Sequence, residues 1–71
     1  MKWLDIIDVA IALEEEYPDV DVKKLTFTQL RSMVISLVDF KGDRDGANEK
    51  ILEAIQMAWL DERDDNYEID D

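Results

Sequence analysis

Seventy-one residues are about half of a typical domain, so one compact unit is expected, burying only ~60% of its unfolded surface. Eight Lys and Arg face 19 Asp and Glu, a formal charge of -11 that repels phosphate backbones and anionic membranes, so neither nucleic acid nor a membrane is an expected partner. The absence of Cys and His excludes disulfides, thiolate nucleophiles, imidazole bases and zinc fingers, and leaves only oxygen to hold a metal.

The longest nearly uncharged stretch, residues 25–38, is broken by Arg31 and dotted with Thr, Gln and Ser, so it does not reach the ~18 apolar residues of a membrane span. The N-terminal stretch lacks the basic region and small-residue cleavage site of a secretory signal, and a soluble, cytoplasmic protein is expected. Charge is unevenly spread: residues 1–21 carry -6, residues 22–50 carry +2 and residues 51–71 carry -7. Folding can join the two acidic ends into one surface or hold them apart. At 46% hydrophobic residues the chain is too apolar to be a disordered acidic polymer. Only residues 65–71, acidic and poor in apolar groups, read as a flexible tail beyond a domain of residues 1–64.

In chain order, Asp5 is placed to cap a first helix, with Asp8 adding negative charge where the helix dipole favours it. Ile6, Val9, Ala10, Leu13 and Tyr17 follow at spacings of three and four, which defines a buried face, and Pro18 stops the helix. Ile7 and Ile11 fall off that stripe, as extra core or as an exposed contact patch. Residues 19–27 suit a loop with one short extended segment. Thr28, or Thr26 paired with Gln29 in a capping box, opens a second helix through Leu30, Met33, Val34, Leu37 and Val38. Gly42 and Gly46 mark the next loop, and Asn48 caps a third helix carrying Ile51, Leu52, Ile55, Ala58 and Trp59 to about Glu62. The expected class is mainly α, a three-helix domain. Trp3, Tyr17, Phe27, Phe40 and Trp59 lie at helix boundaries, where aromatic rings close a small core.

Asp43-Arg44-Asp45-Gly46 invites comparison with a calcium loop, but counting back from Gly46 puts Lys41 at the first ligand position and Leu52 at the twelfth, so the match fails at both ends. Paired carboxylates perform acid and base chemistry only in a water-poor cleft that drives their pKa values apart, and so short a chain has little with which to build one. A non-enzyme is expected. Glu14, Glu15, Glu16, Asp61 and Glu62 crowd the ends of predicted helices, where the dipole is already negative and each acid costs ~0.3 to 1 kcal/mol. Acids placed against the local rule are candidates for meeting a cation or a basic partner.

Lys2-Trp3 with Asp5, Tyr17-Pro18-Asp19 with Asp21, Phe27-Thr28, Asp39-Phe40, Asn48-Glu49-Lys50-Ile51-Leu52-Glu53-Ala54-Ile55 and Trp59-Leu60-Asp61-Glu62 together resemble the IscX family, small acidic accessory proteins of bacterial iron-sulfur cluster assembly. The resemblance runs without gaps from about Lys2 to Asp64 and is most specific from Asn48 to Glu62. It implies a modified winged-helix, helix-turn-helix type fold with at most short strands that does not bind DNA, and a monomeric adaptor that regulates cysteine desulfurase by docking on its basic surface in competition with a frataxin-like protein. It also implies weak, exchangeable ferrous iron on exposed carboxylates and no tightly bound cofactor. Carried over by position, Asp5, Asp8, Glu15, Asp19 and Asp21 are the candidate iron ligands, and Asp5, Asp8, Asp19, Asp61 and Glu62 the candidate partner contacts. An iron carrier for cluster assembly is the alternative. The chain departs from the family's pattern in a nearly neutral loop after Phe40, in apolar residues at Ile7 and Ile11, and in an added tail from Asn66.

Overall fold

A computed structural model describes residues 1–66 as three α-helices: α1 (Ile6–Glu16), α2 (Phe27–Ile35) and α3 (Glu49–Asn66). A 3-10 turn lies at Val22–Lys24, and there is no strand among the described residues. The mainly α, three-helix class is as expected from the periodicity.

Helix α1 buries Val9, Ala10 and Leu13 and half-buries Ile6 and Tyr17, the predicted face. Its start differs from expectation. Asp5 occupies the cap position with φ -83° and ψ 61°, outside the extended conformation that aims a cap at the first turn. A turn closed by the Asp5 amide on the Lys2 carbonyl (3.0 Å) points the carboxylate backward, where it accepts from the Lys2 amide at 2.9 Å. The extended segment expected within residues 19–27 is instead the 3-10 turn, which drives Val22 into the core and offers the Val22 carbonyl to Gln56 Nε2 at 2.8 Å.

Thr26 and Gln29 form the full capping box: Thr26 Oγ1 accepts from the Gln29 amide (3.1 Å) and Gln29 Oε1 from the Thr26 amide (3.0 Å), a motif that contributes about 1 kcal/mol. Helix α2 stops at Ile35, three residues before the predicted end. Ser36 closes it, its hydroxyl donating back to the Ser32 carbonyl at 2.9 Å. Leu37 still reaches the core, but Val38, expected on the buried stripe, is 93% exposed because the helical period ends before it. Asn48 caps α3 as predicted, its Oδ1 accepting from the Ile51 amide at 2.9 Å. The helix runs a full turn past Glu62 to Asn66, so Asp65 and Asn66 belong to α3 and the rest of the expected tail lies outside the described residues.

Two anchors set how α1 and α3 pack. At the front, Trp3 is buried in the connection from α2 to α3: its indole Nε1 donates to the Asp43 carbonyl at 2.6 Å and its ring meets Phe40 edge-on, centroids 4.8 Å apart. Gly42 and Gly46 make room for it, since a Cβ at either position would come within 2.9 or 2.7 Å of Trp3 Cδ1. At the other end, residues of late α3 bond to the end of α1. The two helices therefore lie side by side in the same direction, over a core completed by Leu30 and Val34 of α2 and by Leu52, Ile55 and Trp59 of α3. Packing α1 on α3 brings the two acidic ends of the chain together.

Candidate functional site

Of the acids crowding the predicted helix ends, Glu14 is not free for a partner. Its side chain is 13% exposed, and Oε1 accepts from Trp59 Nε1 at 2.9 Å and from Arg63 Nε at 3.0 Å. Arg63 extends the network, donating from Nη2 to the Tyr17 carbonyl at 3.0 Å and from Nη1 to the Val20 carbonyl, with its guanidinium 5.6 Å from the centre of the Trp59 ring. One arginine thus places positive charge at the C-terminal end of α1, where the dipole is negative, and ties residues 14–20 to α3. The expectation that Glu14 stands uncompensated is corrected. Asp61 and Glu62 are likewise not at a helix end, because α3 continues past them to Asn66.

The predicted site residues divide over four regions. Asp8 and Glu15, two turns apart on α1, line a shallow groove together with Met1, Ile11, Ala12, Asp39 and Lys41. Asp5 lines a neighbouring depression with Leu4, Lys41 and Asp43. Asp19 and Asp21 are exposed on the connection after α1, with Asp21 3.9 Å from Lys24 Nζ in a solvated pair worth little. On α3, Asp61 is exposed and Glu62 half-buried, since successive helical residues point about 100° apart. The structure therefore joins Asp8 to Glu15 and separates them from Asp19 and Asp21.

Asp39 is the site residue that local sequence reading missed. It reaches the groove because Met1 pairs with the connection after α2: the Met1 nitrogen donates to the Asp39 carbonyl and the Lys41 amide to the Met1 carbonyl, both at 2.8 Å. No short-range pattern signals that pairing. Arg63 did have a signal, as the one base among residues 51–71.

Among the described residues no three carboxylates come together as a group able to hold a metal ion, and no polar or charged residue is fully buried. Only Glu14 and Asp21, among the described acids, have a side-chain cation within ion-pairing distance. The surface thus offers hard oxygen donors held open to solvent, suited to long-range attraction of cations and basic surfaces rather than to a rigid coordination shell. No described helix is long and apolar enough to cross a membrane.

Residues 1–64 match the model of the iron-sulphur cluster assembly family. An uncharacterized protein of Pseudomonas aeruginosa is 45% identical over 64 residues, covering 90% of this chain and 97% of that protein. With the Trp3 anchor, the Asn48 cap and the block from Asn48 to Glu62 all inside the matched span, the chain belongs to the iron-sulphur cluster assembly family, the IscX family that its motifs resemble.

Proposed function

We propose that this protein is a non-catalytic, cytoplasmic adaptor that docks its acidic surface on a basic patch of cysteine desulfurase and regulates sulfur supply for cluster assembly. The observation that carries the reading is the packing of the two acidic ends on neighbouring helices, with Asp8, Glu15 and Asp61 exposed and in no ion pair among the described residues, Lys41 being the one basic side chain that shares the groove of Asp8 and Glu15. Like-charge repulsion between them is relieved when a partner supplies Lys and Arg. Regulation follows from occupancy: a filled basic patch excludes a frataxin-like competitor, and this chain makes and breaks no substrate bond. We read the three helices as the modified winged helix implied by the family resemblance, with residues 36–48 in the position of the wing. The charge of -11 opposes DNA binding by such a fold.

Ferrous iron is a secondary, exchangeable ligand in this reading. Asp8, Glu15 and Asp39 line one groove but stand too far apart to close round an ion as a set of three, so each offers it single, exchangeable contacts, while Asp5, Asp19 and Asp21 contribute only diffuse attraction. An iron carrier needs a preformed ligand set, and the scatter of these acids argues against that alternative. Co-purification with cysteine desulfurase at low salt tests the adaptor reading: Asp61→Lys combined with Asp8→Lys is expected to release the complex, and retention of this double variant on the desulfurase would discredit it.

A further inference from the structure

The acidic surface is not uniformly polar. Ile7 and Ile11 are 61% and 36% exposed, one turn apart on the outside of α1, and Leu4, 78% exposed, lies in the turn just before the helix. Val38, lifted out of the core by the early end of α2, lines an adjoining depression that shares Met1, Ala12, Glu15 and Asp39 with the groove that holds Ile11. Asp8, Glu15, Glu16 and Asp39 line these two depressions together with Ala12, against two cations, Lys41 and the Met1 ammonium, so the lining is net acidic. Ile11 and Val38 thus add apolar surface to an acidic lining, the mixture that marks an interaction site rather than a purely solvated face.

We infer that this groove is a mixed docking surface for a basic amphipathic segment of the partner, in which aliphatic groups and the stems of Lys or Arg lie on Ile11 and Val38 while their charged heads meet Asp8, Glu15 and Asp39. Long basic side chains suit such a site because their methylenes cover apolar surface and their heads stay at its rim. A second copy of this chain is the poorer occupant: pairing groove on groove would set Asp8 and Glu15 against their own copies in two molecules of charge -11 each. The inference rests on the adaptor reading and sharpens it, since it assigns the contact to α1 and residues 38–39 and adds an apolar component that salt does not screen.

The test is calorimetric titration of purified cysteine desulfurase with the full chain and with Ile11→Ser, Val38→Ser and the triple variant Asp8→Asn, Glu15→Gln, Asp39→Asn, at low and high salt. The apolar substitutions alter exposed positions, and unchanged melting curves confirm the fold. Each apolar substitution is expected to weaken binding about tenfold at both salt concentrations, as loss of an interface anchor does. The triple variant is expected to weaken binding mainly at low salt and to flatten the salt dependence. Unaltered binding by Ile11→Ser and Val38→Ser beside a tight unaltered chain would overturn the groove while leaving the adaptor reading intact. Failure of the unaltered chain to bind would overturn both. Sedimentation showing a dimer that Val38→Ser dissolves would overturn the assigned occupant in favour of a second copy.

Discussion

Replacing Arg63 by Met keeps most of the aliphatic stem against Trp59 and deletes the guanidinium with all its bonds. The loss comprises the Glu14 ion pair at 3.0 Å, the donations to the Tyr17 and Val20 carbonyls, and the stacking on the indole. A hydrogen bond to a charged group contributes ~1.5–3 kcal/mol, and breaking a fully buried pair costs ~3–5 kcal/mol. Arg63 is 20% exposed and Glu14 13%, so water relieves part of the cost, and ~3 kcal/mol is the expected destabilisation. Against the ~4–10 kcal/mol available to a 71-residue domain, this is a large share. At ~4–8 °C per kcal/mol for a domain of this size, the melting temperature should fall by ~12–24 °C. Thermal and urea unfolding followed by circular dichroism measure it. Glu14→Gln, which keeps an acceptor for Trp59 and Arg63, should cost only ~1 kcal/mol and leave desulfurase binding unchanged. A melting temperature for Arg63→Met within ~2 °C of the unaltered protein would refute the reasoning, because it would mean that the network is no more than a solvated surface pair.

Gly46→Ala should destabilise by ~1–3 kcal/mol, since the new methyl would come 2.7 Å from Trp3 Cδ1 and force the ring or the loop to move; loss of the Trp3 near-ultraviolet dichroism signal checks it. Ferrous iron titrated under argon should bind with a dissociation constant of ~10⁻⁴–10⁻³ M and be displaced by manganese or calcium, as expected of open carboxylate sites; low-micromolar, iron-selective binding would instead favour the carrier.

Much of the helical framework is legible locally, because its boundaries are written in short-range chemistry. Thr26 and Gln29 satisfy each other three residues apart, Asn48 accepts from the Ile51 amide at the same spacing, and Pro18 stops α1 by its own geometry. Val38 misleads because apolar spacing continues past the point where Ser36 turns its hydroxyl onto Ser32 and ends the helix. Asp5 misleads for a related reason, its carboxylate being captured by the Lys2 amide before it can serve α1.

The site is less legible because its decisive contacts join residues distant in the chain. Glu14 looks like one of three equivalent acids until Arg63, 49 residues away, singles it out. Asp39 enters the groove only through the pairing of Met1 with residues 39–41, which leaves no local trace. The uneven charge of the two chain ends is plain in the sequence, whereas their union needs α1 packed beside α3.

The central claim is that exposed carboxylates on α1 and α3 dock this chain on cysteine desulfurase. Calorimetry of the two purified proteins across a salt series tests it most directly. The account predicts heat of binding at ~50 mM salt and an affinity that falls more than about tenfold by ~300 mM, as counterions screen exposed charge. No heat in dilute buffer, or an affinity indifferent to salt, would contradict it.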